Sequence, residues 1–363
     1  MTEASETRAG EAESDDRGVP LFLRDLWYFA CAADDLRAGR SLAKTILGEP
    51  VLLVRGTDGA PYALLDICPH RGIPLHFGTV REREVECCYH GWRFGADGRC
   101  TAIPSLVEGQ PLDPARIRVR TFPLAERQGA VWIFMAAPNR DPARPPPEPP
   151  DLPDIDASHL HVRERLSFPC AIDHAVVGLM DPAHGPFIHR SWWWRPSRSA
   201  HVKEKRFVPS ELGFTMARHR PSSNSRAYKL LGGAPETEIA FRLPGIRIEH
   251  VRAGRNVLVG LTATTPVSAT ETEVNHLIYW TMPWLTPLAP ILKPFARAFL
   301  RQDRDVVAMQ QEGLRHRPAL MLIDDADRPA KWYFRLKRAF ALAQSTGTPF
   351  ENPVRERTLR WRS

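Results

Sequence analysis

Two short segments of the sequence, Cys68–Gly72 and Cys87–Trp92, each place one cysteine and one histidine close together. The first reads Cys-Pro-His-Arg-Gly and the second Cys-Cys-Tyr-His-Gly-Trp, with sixteen residues between His70 and Cys87. Two thiolates and two imidazoles suit either a tetrahedral zinc ion or a [2Fe–2S] cluster in which histidines replace two cysteines on one iron. Both centres require the two segments to meet in space, which constrains the fold more than any other feature of the chain.

The distribution of the four residues favours the cluster over zinc. Zinc fingers place both cysteines on one arm and both histidines on the other, whereas here each arm carries one of each. Gly72 and Gly91 follow the ligands, so that backbone N–H groups can approach cluster sulfurs. Cys88 does not have the two-residue gap to His90 that Cys87 has, and we expect it to be a bystander thiol.

These segments resemble the Rieske iron–sulfur signature, including the His-Gly-Trp run after the last ligand. The resemblance implies that Cys68, His70, Cys87 and His90 bind a [2Fe–2S] cluster. One position departs from the pattern, because Cys88 stands where many relatives carry proline.

Length and composition indicate an ordinary globular protein of two domains, with 363 residues, 43% hydrophobic and 25% charged. The six cysteines show no disulfide framework, which favours a reducing compartment. Residues 1–18 are polar and resemble neither a signal nor a transit peptide, so we expect a disordered tail and a cytoplasmic protein. The apolar stretch 287–300 contains Lys293 and Arg297 and cannot span a bilayer.

The net charge of +7 does not indicate a nucleic-acid-binding protein, since the chain has no basic block. The run Arg190–Arg195 mixes tryptophans with arginines, but its position favours packing near an active-site mouth. A basic surface could instead steer an acidic electron-carrier protein.

Short runs separated by turn residues predict an N-terminal antiparallel β domain over residues 22–140. The predicted strands are 43–47, 50–55, 62–66, 85–88 and 130–135. Residues 141–154 form the predicted linker, because residues 141–153 hold seven of the 34 prolines. A second domain over 155–345 and a C-terminal tail over 346–363 follow.

The second domain is predicted to be α+β, with helices packed on one face of an antiparallel sheet. Its predicted helices are 170–180, 294–314 and 330–344, and its predicted strands are 206–216, 238–249, 256–265 and 272–282.

A second chemical site is expected in the run from Asp181 to His189, which contains His184. Two histidines five residues apart on one continuous helix would point about 140° from each other. Pro186 disfavours helix at Gly185, so His189 can turn back towards His184. Two imidazoles and one carboxylate form the facial triad of oxygen-activating iron enzymes.

The order of cluster signature, linker and Asp-x-x-His-x-x-x-x-His resembles the terminal oxygenase (α) subunits of the Rieske non-haem iron family over about residues 22–345. The resemblance implies a helix-grip, START-like catalytic domain. It also implies that Asp181 bridges the iron site to the cluster of a neighbouring subunit. From the residues alone, Asp181 before proline is a good helix N-cap, and the two roles can coexist. Gly178 and Val177 occupy positions where many relatives carry asparagine.

The third iron ligand lacks a motif. Residues 295, 299, 303, 306 and 310 form one mainly apolar helical stripe, so Asp303 is a carboxylate on a face expected to be buried. Asp305 belongs to a polar side and is the alternative. The position of Asp303 after Gln302 also resembles that of the ligand in single-component relatives.

The resemblance implies an oxygenase that takes electrons from a ferredoxin or flavin reductase and uses O2. It would hydroxylate, by mono- or dioxygenation, or oxidatively demethylate an apolar aromatic or polycyclic substrate, for which Trp192–Trp194, Trp280 and Trp284 could line a pocket. Family members usually form homotrimers. The alternatives are a Rieske electron-transfer protein and a zinc-stabilised binding protein.

Overall fold

A computed structural model describes residues 19–189, 201–221 and 233–363. The expected tail over 1–18 and the run Trp192–Trp194 lie outside the described residues.

The N-terminal domain is built from short antiparallel strands that form three sheets in the described chain. The first sheet, in the order β1–β11–β10, contains β1 (Leu26–Ala32), β10 (Leu124–Arg127) and β11 (Ala130–Met135). The second contains, in order, β2 (Arg40–Ile46), β3 (Glu49–Arg55), β4 (Pro61–Leu65) and β9 (Thr121–Phe122). The third contains β5 (Thr79–Arg81), β6 (Glu84–Glu86), β7 (Arg93–Gly95) and β8 (Cys100–Ala102).

The second domain contains one antiparallel sheet of eight described strands, in the order β12–β18–β17–β16–β15–β14–β13–β19. The strands are β12 (Leu160–Phe168), β13 (Val202–Ser210), β14 (Gly213–His219), β15 (Glu236–Arg242), β16 (Ile246–Ala253), β17 (Asn256–Ser268), β18 (Glu271–Trp280) and β19 (Arg357–Arg362). The described helices of four or more residues in α geometry are α1 (Ile172–Met180), α2 (Gly185–Ile188), α3 (Ala289–Leu314) and α4 (Arg328–Thr346). The predicted α+β class, a β domain followed by helices on an antiparallel sheet, is confirmed.

The eight-stranded sheet is covered on both faces. Alternate residues of β17 and β18, such as Leu261 and Tyr279, pack against Trp27 and Trp132 of the N-terminal domain. The opposite face carries residues such as Val274, which packs with Leu300 of α3. Because side chains alternate across a strand, one face of the sheet forms the domain interface and the other supports the helices.

The two domains are also joined by polar contacts. Nζ of Lys44 lies 2.6 and 2.7 Å from the two carboxylate oxygens of Glu273, and Oγ1 of Thr265 donates to the buried carbonyl of Phe29 at 2.7 Å. The proline-rich segment 141–153 has no regular secondary structure and lies against the N-terminal domain, where Nε1 of Trp27 donates to the carbonyl of Pro147 at 2.7 Å.

Two strands predicted as continuous are hairpins. The predicted strand 206–216 is divided between β13 and β14, and 238–249 is divided between β15 and β16. Pro244 lies in the second turn and, lacking an N–H, cannot donate to a sheet ladder, which explains the break there. The glycine at 213 has no room for a side chain, because an added Cβ would lie 1.8 Å from the carbonyl oxygen of Phe241.

The chain end also differs from the prediction. The segment 346–363, predicted to be a tail, ends in β19, which pairs with β13 at the edge of the sheet. Leu359 and Trp361 point inward from it and are buried. Apolar residues alternate with arginines near the end of the short run Arg357–Arg362, as expected of a strand. The high arginine content hides this pattern in the sequence.

In the described part of the chain, no helix combines the length and the hydropathy that crossing a membrane would require.

Candidate metal centres

The two cysteine–histidine segments lie in loops with the same backbone hydrogen bonds. The first loop follows β4 and the second joins β6 to β7. The amide of Cys68 donates to Ile73 and the amide of Gly72 donates back to Cys68, both at 2.9 Å. Cys87 makes the equivalent bonds with Trp92 and Gly91, at 2.8 and 3.0 Å.

The loops close this way because each has a glycine in the left-handed region, with φ of 71° at Gly72 and 69° at Gly91. An added Cβ on Gly91 would also lie 3.1 Å from the ring of Pro104. The glycines noted in the sequence therefore have a defined conformational role in both loops.

The loops bring the four predicted cluster ligands together. Sγ of Cys68 hydrogen bonds to Cys87, and both cysteines are buried. The ring centroids of His70 and His90 are 4.5 Å apart, and the ring of Trp92 stacks on His70 at 4.6 Å. The indole after the last ligand therefore holds one imidazole in place.

This environment fits a bound metal cluster better than a pair of protonated thiols. Nδ1 of His90 is buried and has no hydrogen-bond partner among the described residues, which is costly unless it binds a ligand. Burial raises the pKa of the Cys68 thiol to about 11, although the amides of His70 and Arg71 hydrogen bond to its sulfur and oppose that shift. A metal would compensate the burial of a thiolate here. Cys88 is exposed.

The second site begins where α1 ends. Asp181 follows the last residue of α1, and the single-turn helix α2 places His184 at its start and His189 at its end. The Nε2 atoms of the two histidines are 3.2 Å apart.

The local backbone differs from the prediction in two respects. Helix does form at Gly185, because Pro186 occupies the first turn of α2, where its missing N–H is not needed. Asp181 is not an N-cap, since it terminates α1. Its Oδ1 instead accepts the amide of Ala183 at 2.7 Å, which turns the chain between the two helices.

Asp303 of α3 completes a group of three possible metal ligands. Its Oδ1 lies 3.2 Å from Nε2 of His189 and 3.6 Å from Nε2 of His184. One ligand atom from each residue lies within 4.8 Å of the others. Asp305 points elsewhere and accepts a hydrogen bond from Arg304 at 2.6 Å.

The buried stripe of α3 is displaced from the predicted one. Leu300 and Val307 are buried, whereas Val306 and Gln310 are exposed. Asp303 lies three residues from Leu300 and four from Val307, so it remains beside the buried face.

Each histidine is oriented through its other ring nitrogen. Nδ1 of His184 lies 3.5 Å from Oδ2 of Asp181, an electrostatic contact without hydrogen-bond geometry. Nδ1 of His189 lies 2.9 Å from Oε1 of Gln302, and its ring stacks on Phe299 at 3.6 Å. These contacts leave both Nε2 atoms directed at Asp303, as metal ligation through Nε2 requires.

The site has an excess of negative charge that favours a cation. Burial lowers the pKa of His184, but the adjacent carboxylates of Asp181 and Asp303 outweigh burial and raise it above the ordinary value. A bound metal ion would satisfy the same carboxylates.

The three residues line a cavity of about 470 Å³ between the sheet and α3. Its wall is mainly apolar and includes Leu258, Ile278 and both predicted tryptophans, Trp280 and Trp284. Trp280 is buried, whereas the side chain of Trp284 is 52% exposed at the surface. Cavities of this size and polarity accept small organic molecules.

Sequence reasoning missed several polar residues of the site. Gln302 was not predicted to contact a ligand, and Arg247, Thr262 and His276 of the cavity wall carried no signal. Only the alternation of side-chain direction along each strand could have indicated that Arg247, Thr262 and His276 share one face of the sheet.

Comparison with known proteins identifies the N-terminal domain. Residues 26–123 match the Rieske [2Fe–2S] domain. Over 174 residues, the chain is 36% identical to the oxygenase component of dicamba O-demethylase from Stenotrophomonas maltophilia, covering 47% of this chain and 48% of that protein. Over 178 residues, it is 32% identical to the oxygenase subunit of 3-chlorobenzoate-3,4-dioxygenase from Comamonas testosteroni, covering 48% and 40%. The matched part therefore spans less than half of either relative.

The structural similarity covers more of the chain than the sequence similarity does. The crystal structure of dicamba monooxygenase bound to dicamba superposes with a TM-score of 0.72 over 90% of this chain and 99% of that chain, at 23% identity. At this identity the match concerns the fold alone. The chain thus contains a Rieske [2Fe–2S] domain, and its predicted resemblance to Rieske oxygenase α subunits is confirmed in sequence and in fold.

Proposed function

We propose that this protein is the terminal oxygenase of a Rieske-type system that hydroxylates or oxidatively demethylates an aromatic or polycyclic substrate. The observation that supports this most directly is the group His184, His189 and Asp303 on the wall of a mainly apolar cavity. A Rieske protein that only transfers electrons has no use for a second metal site of this kind or for a substrate cavity.

The proposal assigns two cofactors to the chain. Cys68, Cys87, His70 and His90 hold the [2Fe–2S] cluster, and His184, His189 and Asp303 hold a mononuclear ferrous ion. When bound, the cluster supplies one-electron transfer and the ferrous ion supplies dioxygen activation. Zinc in the first site is disfavoured because each loop contributes one ligand of each kind.

The side chains around the ferrous site have distinct roles. Gln302 holds the Nδ1 proton of His189, and the carboxylate of Asp181 lies 3.5 Å from Nδ1 of His184, which keeps the Nε2 atoms available as ligands. Phe299 and the apolar wall of the cavity exclude water from the surroundings of His189. Three protein ligands leave coordination positions open, as an oxygen-activating site requires.

The side chain of Asp181 is 31% exposed. We propose that this carboxylate reaches a cluster histidine of a neighbouring subunit in a head-to-tail homotrimer. Heterologous contacts of this type close into rings. A ferredoxin or a flavin reductase supplies the electrons, and the net charge of +7 would favour an acidic electron carrier.

The relatives guide the choice of substrates. Their names specify demethylation of dicamba and dioxygenation of 3-chlorobenzoate, so both reaction types belong to the test. The experiment is anaerobic reconstitution, an iron count, a visible spectrum, and product analysis with a reductase and a panel of aromatic and polycyclic compounds. We expect a reddish-brown protein with about three irons per chain and a product that requires O2. Colourless protein, or two irons and no product, contradicts the proposal.

A further inference from the structure

The segment that forms one wall of the cavity is held in a fixed orientation. It consists of the short 3-10 helix Pro283–Leu288 and the first half of α3. On its inner side, Leu285 and Leu292 pack in one apolar cluster with Val162 and Trp280. Because this side is anchored, the segment cannot rotate to bury the residues on its outer side.

The outer side carries a row of large apolar residues, which we call the apolar stripe. It consists of Trp284, Leu288 and Ile291, whose side chains are 52%, 42% and 60% exposed. Their spacing of four and three residues places them along one side of a helix. Single exposed apolar residues are common on protein surfaces, but a contiguous row indicates an interaction surface.

The same segment is basic. Residues 283–302 contain three cations, Lys293, Arg297 and Arg301, and no acid. Arg297 lies 3.8 Å from the buried carboxylate of Glu164. Lys293 and Arg301 are exposed, and in the described part of the chain neither has an ion-pair partner. Their charges are therefore available to an anionic partner outside the chain.

A lipid surface fits this combination better than a protein does. From Trp284 to Ile291 the stripe is about 12 Å long, at 1.5–2.0 Å per residue. A stable protein interface buries about 800 Å² on each partner, which three side chains do not provide. A peripheral helix needs only a few inserted apolar side chains and cations near anionic headgroups. Tryptophan is also enriched at the boundary between membrane and water.

We propose that the apolar stripe, together with Lys293 and Arg301, docks the protein on an anionic lipid surface. Lipid binding does not depend on the reaction, whereas its consequence for the substrate rests on the proposed function. Trp284 belongs both to the stripe and to the cavity wall. Docking therefore places the cavity next to the lipid, from which an apolar substrate can enter.

The test is flotation of the anaerobic, reconstituted holoenzyme with vesicles of phosphatidylcholine, alone or mixed with phosphatidylglycerol. We expect binding to the mixed vesicles to be at least about tenfold tighter, since each cation near an anionic surface contributes about fivefold. Binding should weaken as the ionic strength rises. Absence of binding to the mixed vesicles, or equal binding to both kinds, overturns the proposal.

A substitution in the stripe tests which surface binds. Ile291→Glu should weaken vesicle binding about tenfold or more, because it replaces an inserted apolar side chain by a carboxylate. Leu342→Glu is the matched control, since Leu342 is 61% exposed on α4 and should not contact lipid. The visible spectrum checks that both variants fold. Equal vesicle binding by the two variants refutes the assignment to the stripe.

A charge reversal tests the two cations. Lys293→Glu combined with Arg301→Glu should weaken binding to the mixed vesicles by at least about tenfold. Arg335→Glu combined with Arg338→Glu reverses two exposed charges on α4 and changes the net charge equally. An equal loss in both double variants would mean that net charge, and not this surface, causes the binding.

The readouts separate this proposal from the proposed function. Absence of mononuclear iron or of O2-dependent product contradicts the proposed function, whatever the flotation shows. Normal iron content and turnover without vesicle binding contradicts only the lipid surface. Light scattering tests a second copy of the chain as the occupant of the stripe. A smaller assembly for Ile291→Glu than for the wild type, with no vesicle binding by the wild type, would assign the stripe to a subunit contact.

Discussion

Nδ1 of His189 lies 2.9 Å from Oε1 of Gln302, the residue that immediately precedes Asp303 on α3. One helix therefore provides both the proposed carboxylate ligand and the group that orients a proposed histidine ligand. Consecutive residues on a helix point about 100° apart, so α3 can contact His189 from two directions. The position of α3 on the sheet thus decides the geometry of the whole site.

Gln302→Leu should weaken mononuclear iron binding about 10–100-fold, because His189 loses the acceptor for its Nδ1 proton. The measurement is iron affinity from competition with a chelator, with the cluster absorbance recorded in parallel. Gln310→Leu, at an exposed position of the same helix, is the control and should not change iron affinity. Equal affinities in the two variants would show that Gln302 does not orient the ligand.

Asp303→Ala should abolish mononuclear iron binding and turnover while leaving the cluster spectrum intact, since it removes the carboxylate beside the Nε2 atoms of both histidines. Asp305→Ala is the matched control, because Asp305 pairs with Arg304 at the surface. Iron analysis and visible absorbance distinguish the two. Iron lost from the Asp305 variant alone would reverse the assignment.

Cys87→Ser should remove the cluster absorbance, whereas Cys88→Ser should leave it unchanged. Cys87 is buried beside Cys68 and Cys88 is exposed, although the two are adjacent in sequence. Visible spectra and acid-labile sulfide measure the result. Loss of the cluster from the Cys88 variant would contradict the ligand set.

A buried ion pair joins α1, which leads to the proposed iron site, to α4. Nζ of Lys337 lies 2.8 Å from both carboxylate oxygens of Asp173, which also accepts a hydrogen bond from Tyr333 at 2.6 Å. Asp173→Ala should destabilise the protein by about 3–5 kcal/mol, because Lys337 would remain buried without a partner.

Thermal unfolding measures this effect, and the double variant Asp173→Leu with Lys337→Met should recover most of the loss. Glu356→Ala breaks the exposed pair with Arg206 and should cost less than about 1 kcal/mol. Similar losses from the buried and the exposed substitutions would show that burial of the charge is not the cause.

Acidification should destabilise the protein partly through His276. Its pKa in the folded protein is about 4, below the ordinary value of 6.5, so the unfolded chain binds the extra proton first. Stability is therefore complete above pH 6.5 and is lost as the pH falls towards 4, by at most about 3 kcal/mol. His276→Gln should show a smaller fall in Tm between pH 7.5 and 5.5 than the wild type. His316→Gln, at an exposed site, is the control and should show the same fall as the wild type. An unchanged fall in the first variant would contradict the low pKa.

The cluster site could be predicted from the sequence because its information is local. Each loop holds its cysteine, histidine and glycine within five consecutive residues, and the backbone bonds that shape it span the same residues. The spacing of His184 and His189 is also local, although the way the chain turns between them was predicted wrongly. Asp181 and Pro186 can each begin or end a helix, and only the packing of α1 and α2 selects between these possibilities.

The rest of the site depends on the tertiary structure. Arg247, Thr262 and His276 meet through strand register, which is set by contacts between residues distant in sequence, and a shift of one residue would move each side chain to the opposite face. Gln302 acts on His189 because α3 packs across the sheet, and the strand at the chain end forms only because β13 offers an edge. The sequence by itself determined which ligands the chain could offer and how its two domains are ordered. The packing of helices on a sheet decided which of those ligands come together, because that choice depends on long-range contacts that no local pattern encodes.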